Sequence, residues 1–331
     1  MYSQSYLKFR EYLKNRKYLD AASLAEREYM EGGSRNPFWL TQQAVALNKA
    51  KKFKEAFESA HDALNKEPAN PYSILAAGDA LYGLKRYEEA YSYYREIFNN
   101  ERVGLRACKG ALECLRIKRD WERILSIITE VSLPENERLL YKAAALGGLG
   151  EKGQAMEIYR EVLKENPDEP RALWELTELE IEAQGIEPVK EKMRRLAKIP
   201  SRPPIYGKIY ASLCRRTGET EKALSQYGKI EEKQSDPWII KQKAFTLAKA
   251  GSQKEAIPLL EELLRLDPGE FYVRSAYEAA CKKTGEVERA INFYQELLGL
   301  YPDTKWVYGR IRRLKKSLPA EPNIGEEQNE S

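Results

Sequence analysis

The sequence predicts an all-α protein, a right-handed α-solenoid of about nine helix-turn-helix units closed by a C-terminal capping helix. Three observations predict it: a small residue recurs at nearly constant spacing, glycines and prolines punctuate the chain in phase with it, and the composition suits an elongated helical array. At 331 residues the chain exceeds the usual size of one globular core. Its hydrophobic content of 42% is too high for disorder, and its 32% of charged residues exceeds the usual quarter. Such a balance fits a protein with much surface per residue.

The recurring small residue opens each second helix. Aligning Ala21, Ala56, Ala90, Ile124, Ala155, Val189, Ala223, Ala256 and Ala290 gives gaps of 35, 34, 34, 31, 34, 34, 33 and 34. A repeat array accounts for that series. In the unit starting at Pro71, the first helix presents Ile74, Ala77, Gly78 and Leu81 at helical spacing. A turn at Lys85-Arg86 leads through Tyr87 to a second helix presenting Ala90, Tyr94, Ile97 and Phe98. The small residues let antiparallel helices approach closely, and the large ones fill the space between units. The last unit repeats this with Tyr277, Cys281, Gly285, Ala290, Tyr294, Leu297 and Pro302.

Turn chemistry runs in step. Gly150, Gly218, Gly251 and Gly285 fall between paired helices, where a left-handed residue ends a helix. Pro68, Pro167, Pro268 and Pro302 close second helices. Asn36-Pro37, Asn70-Pro71 and Asp236-Pro237 each put an N-cap before a proline at the first helical position. Ser252 with Glu255 reads as a capping box. After Pro302, Thr304 to Ser317 repeats a first helix without its partner, with Trp306, Ile311 and Leu314 to cover the last unit.

Irregularities divide the array. The unit from Leu105 is 31 residues long with Ile124 at the small position, and the unit from Pro170 carries Pro188 early in its second helix. Pro200–Pro204 reads as a joint, which gives an N-terminal sub-array 1–203, a C-terminal sub-array with capping helix 204–318, and a disordered acidic tail 319–331. The net charge of +4 includes Glu321, Glu326, Glu327 and Glu330 of that tail; without them 55 cationic side chains face 47 acidic ones, a net of +8. Dedicated nucleic-acid binders concentrate more charge than that on one face.

With Gly or Ala in the first helix, Gly in the turn, aromatic-x-x-Ala opening the second helix and Pro at its end, the pattern resembles the tetratricopeptide repeat. The resemblance covers roughly residues 2 to 302 as nine units. It is specific for the units beginning at 37, 71, 136, 237 and 271 and weaker for those at 2, 105, 170 and 204. The pentatricopeptide repeat, with its period of 35, fits the dominant 34 less well.

The resemblance implies that first helices line a concave surface through positions 2, 5, 9, 12 and 13 of each unit. That register selects Phe38, Thr41, Asn48, Tyr72, Leu75, Asp79 and Tyr82 in the early units, then Arg106, Lys109, Glu113 and Arg116, then Arg171, Trp174, Glu178 and Glu182. In the last units it selects Lys208, Arg215, Arg216, Trp238, Lys241, Phe245, Lys249, Tyr272, Lys282 and Lys283, followed by Trp306, Arg313 and Lys316. That last set is cationic and aromatic with no acid, a composition suited to anchoring an acidic, partly apolar peptide. The family's carboxylate clamp, Lys and Asn one turn apart, is missing: Lys208 is followed by Ser212 and Lys241 by Phe245.

Chemistry has no comparable signal. Gly148-Leu-Gly150-Glu-Lys-Gly153 satisfies the dinucleotide-loop spacing, yet a helix precedes it where a strand is required. His61 stands alone between Ala60 and Leu64 and reads as a surface residue. Cys108, Cys114, Cys214 and Cys281 show no CxxC spacing, so neither a zinc site nor a disulfide framework is expected. Glu178 and Glu182, one turn apart, sit among Glu175 and Glu180 and read as an acidic patch with no nucleophile. The expectation is a cytoplasmic, non-enzymatic scaffold or adaptor, without cofactor or metal, that binds a protein segment or itself; no long apolar run suggests a membrane. Single-stranded RNA binding through the same groove, or service as a regulatory subunit of an enzyme, are the alternatives.

Overall fold

The computed structural model describes residues 4–31, 36–231, 236–301 and 306–318. It divides into two compact units, residues 1–179 and 180–331. The first holds α1 (Gln4–Lys14), α2 (Tyr18–Glu31), α3 (Pro37–Lys49), α4 (Phe53–Lys66) and α5 (Pro71–Gly83). It continues with α6 (Tyr87–Glu96), α7 (Gly104–Lys118), α8 (Trp121–Glu130), α9 (Glu135–Gly148), α10 (Lys152–Glu165) and most of α11 (Pro170–Gln184). The second holds α12 (Ile186–Ala197), α13 (Pro204–Arg216), α14 (Thr220–Glu231) and α15 (Pro237–Ala250). It ends with α16 (Gln253–Leu266), α17 (Phe271–Thr284), α18 (Val287–Leu300) and α19 (Trp306–Lys315). Among the described residues there are nine helix pairs, a lone last helix and no strand, which is the all-α solenoid class.

The nine alignment residues are each 0% exposed. Large side chains fill the layers between pairs. Tyr94 is one: a Cβ on Gly78 or on Gly110 would lie 2.7 Å from its ring, so the tyrosine is held between two helices that need glycine there. Burial raises its phenol pKa strongly, and the hydroxyl donates to Asp79 Oδ1 at 2.9 Å. Tyr294 does the same with Glu278 at 2.8 Å. Val307 and Leu314 of α19 are buried against the last pair, with Trp306 and Ile311 half-buried beside them.

Local signals and geometry agree at most ends. The side-chain oxygens of Asn36, Asn70 and Asp236 accept the backbone N–H of Phe38, Tyr72 and Trp238 at 2.9, 3.0 and 2.8 Å. The Ser252 capping box does not form: its side chain makes no cap bond, and only its carbonyl enters the helix ladder. Ile97 and Phe98 lie just beyond α6, which ends at Glu96. The shortening of the 31-residue unit is taken out of α8, 10 residues long against 14 in α4.

Each turn connecting paired helices contains a residue of positive φ. Five residues before the alignment residue, φ is positive at Arg16, Lys51, Lys85, Arg119, Gly150, Gly218, Gly251 and Gly285; before Val189 it is Gly185, four residues ahead. Only the later turns use glycine, the residue that adopts this region without Cβ strain. The unit boundary falls at Leu179–Glu180, upstream of Pro200–Pro204. That segment links α12 to α13, with Arg202 N–H donating to the Ile199 carbonyl at 3.0 Å and the Arg202 guanidinium 5.4 Å from the Tyr206 ring. Pro302 and the acidic tail lie outside the described residues.

Candidate functional site

The fifth residue of several first helices contacts the next first helix or its cap. Thr41 hydrogen-bonds Ser73 at 2.7 Å, and Leu75 and Leu140 are buried. Lys109 donates to Glu137 at 2.6 Å and Lys208 to Asp236 at 2.6 Å, while Lys241 pairs with Glu270 at 3.4 Å. Asp236 and Glu270 are themselves N-caps of the following first helix. Burial raises the Asp236 carboxyl, but Lys208 and the Trp238 N–H outweigh it and leave it below the usual carboxylate range. Of the register residues, Thr41 and Leu75 are buried in the core, and Lys208 and Lys241 pair with the caps of the following first helices.

The other predicted residues separate into two groups. Arg215 and Arg216 end α13, Lys249 ends α15, and Lys282 and Lys283 end α17. Cations in a last turn also complement the helix dipole. Lys249, Lys282 and Lys283 are exposed; Arg215 is half-buried beside Tyr227, and its Nε has no hydrogen-bond partner. The aromatic residues lie elsewhere. Trp238 is half-buried, edge-on to Tyr227 at 6.4 Å, with the Lys208 ammonium 5.7 Å from its ring. Phe245 packs half-buried against the core, 5.9 Å from Lys241. Tyr272 is 68% exposed in the first turn of α17, about 16 Å along the helix from Lys283. The predicted residues thus do not gather at one point.

One pocket beside Phe271 contains two register residues, Trp306 and Arg313, and four that the register does not select. It has a volume of about 490 Å³ and is lined by Gly269, Arg274, Trp306, Gly309, Arg310 and Arg313. The Arg274 guanidinium lies 4.2 Å from the Trp306 ring and 5.6 Å from that of Phe271. Arg310 pairs with Glu278 at 3.3 Å. Arg274 stands at position four, so a search restricted to the five register positions passes it over; its spacing from Phe271 was the available signal.

A larger cavity of about 750 Å³ lies between α12 and α14. Its charges neutralise one another. Lys190 pairs with Glu187 at 2.7 Å and with Glu219, which also takes Lys222, and Arg194 pairs with Glu191 at 2.6 Å. Hydrogen bonds from these cations hold the Glu191 and Glu219 carboxyls down to about 2. Both carboxyls are thus far from the values a proton-transfer pair at neutral pH requires.

The remaining reactive groups fill structural roles. All four cysteines are buried and free, and burial pushes the thiols of Cys108 and Cys281 up to about 11 and that of Cys114 to about 12. His61 is exposed and stacks on Phe57 at 6.0 Å. Gly148 meets the Trp121 indole, where a Cβ would come within 2.2 Å, and Gly150 is the left-handed turn residue, so both have packing reasons to be glycine. Glu180 is not solvated with its acidic neighbours; it is buried and accepts Lys192 Nζ at 2.8 Å on each oxygen. Among the described residues no cluster of three His, Cys, Asp or Glu could hold a metal ion, and no helix is long and apolar enough to cross a membrane.

Comparison with known proteins places this geometry. No curated protein sequence matches the chain. Solved structures similar to it include the APC/C hetero-tetramer Cut9–Hcn1, at 14% identity and TM-score 0.41, covering 83% of this chain and 55% of the other, so the chain spans about half that relative's length. A thermophilic tetratricopeptide-repeat protein of Thermus thermophilus shares 21% identity at TM-score 0.36, over 55% of this chain and 99% of that one. A tetratricopeptide-repeat protein of Parabacteroides merdae shares 15% at TM-score 0.37, over 85% and 99%. The sequence profile of the tetratricopeptide repeat matches residues 79–269, more than half of the chain, and again residues 274–304; the chain belongs to the tetratricopeptide-repeat family.

Proposed function

We propose that the chain is a non-enzymatic scaffold whose first helices between residues 204 and 318 capture an acidic, partly apolar protein segment. Tetratricopeptide repeats generally serve as non-catalytic platforms for protein–protein interaction. One observation supports the finer reading. Lys249, Lys282, Lys283 and Arg313 are exposed and have no carboxylate partner among the described residues. Arg106, Lys109, Arg116 and Arg171, at register positions of residues 1–179, face Asp79, Glu137, Glu113 and Glu113. Cations left uncompensated at adjacent helix ends steer an acidic partner and contribute charge-assisted hydrogen bonds once it is bound.

The test is a pull-down from cell extract with and without nuclease treatment, run in parallel with wild type and Lys249→Glu/Lys282→Glu/Lys283→Glu. The expected result is a protein partner held by the wild type and lost from the variant at unchanged melting temperature. A partner set that survives the charge reversal removes these residues from the site. Disappearance of binding on nuclease treatment favours RNA over protein.

A further inference from the structure

The far end of the second unit carries a surface of a different kind. Leu266, Phe271, Tyr272, Leu300 and Tyr308 are each between 56% and 68% exposed, and exposed apolar side chains grouped in one place mark an interaction surface. They belong to four consecutive helix ends. Phe271 and Tyr272 touch edge-on at 5.6 Å, Arg274 bridges Phe271 to Trp306, and the Tyr301 hydroxyl donates to the Arg265 carbonyl at 2.7 Å, which ties the end of α18 to that of α16.

Beside these groups lies the pocket of about 490 Å³, within the size range of small-ligand clefts. Three guanidiniums line it and, among the described residues, no carboxylate does. Glu278 compensates Arg310, and its other carboxylate oxygen is taken by Tyr294. Arg274 is held flat between two rings with its Nε buried and unbonded, and Arg313 is exposed and unpaired among the described residues. One guanidinium held by aromatic rings and one free in solvent thus line a single space, beside apolar side chains.

We infer that this end of α17 and α19 docks a protein segment carrying a carboxylate side chain flanked by bulky apolar ones. The carboxylate enters the arginine–tryptophan pocket, where a planar fork matches it in two hydrogen bonds. The apolar neighbours cover Phe271, Tyr272 and Tyr308. Charge complementarity selects an acidic partner, and the aliphatic Leu266 and Leu300 select protein over nucleic acid, whose bases stack on rings. This reading rests on the scaffold function proposed above and shares Arg313 with it, but Lys249, Lys282 and Lys283 take no part in the pocket.

The full chain is titrated by fluorescence anisotropy against three labelled probes: a 12-residue peptide alternating Glu with Leu and Phe, the same peptide with Gln for every Glu, and an oligouridylate. The acidic peptide should bind, and the Gln peptide should bind at least tenfold more weakly. Arg313→Glu should weaken the acidic peptide at least tenfold, Arg313→Gln somewhat less, and Tyr272→Ser/Tyr308→Ser at least threefold, all with unchanged melting because these side chains are exposed. Lys249→Glu/Lys282→Glu should change it by less than threefold. Equal affinity for Glu and Gln peptides, no binding by either, indifference to Arg313, or tighter binding of oligouridylate each overturns the pocket. If one of these occurs while the native partner is still lost from the lysine triple variant, the pocket alone fails; if that pull-down fails as well, so does the scaffold reading.

Discussion

Residues 4–179 and 180–318 are built from the same helix pair, yet they treat the turn and the charges around it differently. In the first unit the left-handed turn position is occupied by Arg16, Lys51, Lys85 and Arg119 before Gly150 takes it. In the second it is glycine every time, at Gly185, Gly218, Gly251 and Gly285. The first unit compensates Arg106, Lys109, Arg116 and Arg171 with carboxylates, and the second does so for Lys208 and Lys241 but leaves Lys249, Lys282 and Lys283 exposed and unpaired among the described residues. The repeat fixes backbone and core, and leaves the polar positions open to serve either packing between pairs or an outside partner.

The sharpest break of the shared core comes from overpacking. Ala256→Leu in the second unit and Gly110→Ala in the first should each cost roughly 1–3 kcal/mol, seen as a lowered midpoint in urea. The causes differ. Ala256 is fully buried where two helices cross, while a Cβ at Gly110 would stand 2.7 Å from the Tyr94 ring. Gly153, with nothing within 4 Å of its Cβ, is the control, and alanine there should leave stability unchanged or slightly higher.

The nine crossing residues, the three capped prolines and the lone last helix were legible in the sequence because each leaves a mark in residue type and spacing. The turns at Lys51 and Lys85 were legible only as turns: a left-handed lysine is spelled like any surface lysine. The lysine pairs were hidden for a related reason. Lys208 and Lys249 were both selected by the register, at positions five and thirteen, and Lys208 is paired because of Asp236, 28 residues on, whose capping role already explained its presence. Ser252 shows the converse, since the capping-box spacing is present and the bond is not. The binding surface depends on which cations have found a carboxylate, and that is settled only when distant segments meet.

Exchanging the turn residues sharpens the contrast. Lys85→Gly should raise stability by up to about 1 kcal/mol, because glycine occupies the left-handed region without Cβ strain. Gly251→Lys should cost about as much. At Gly251 nothing lies within 4 Å of the missing Cβ, so backbone strain alone sets the loss. Equal and small shifts in both variants would mean that the two kinds of turn are energetically alike.

The paired lysines should behave unlike the exposed ones. Lys109→Met breaks a half-exposed pair with Glu137 and should lower stability by no more than about 1 kcal/mol, read as a small shift in melting temperature. Lys282→Met should leave stability within error, and its effect should appear in partner binding alone.

The smallest effect is the response to acid, and it has opposite signs at two sites, one in each unit. Glu191 and Glu219 are held at about 2 by hydrogen bonds from Arg194 and Arg195 and from Lys190 and Lys222, below their ordinary value of 4.5. A depressed carboxyl stabilises the fold above its unfolded pKa, and that contribution drains away as pH falls from about 4.5 toward about 2. Asp79 runs the other way. Burial outweighs Arg106 and the Tyr94 hydroxyl and raises its carboxyl above 3.8, so the folded chain takes up this proton first and gains on the unfolded one as pH falls through that window. Hydrogen exchange between pH 5 and 2.5 should therefore show α12–α14 losing protection earlier in Glu219-containing protein than in Glu219→Gln, whose lower protection at pH 5 changes little. In α5–α7, Asp79→Asn should steepen the acid loss, because the group whose proton uptake favours the fold is gone.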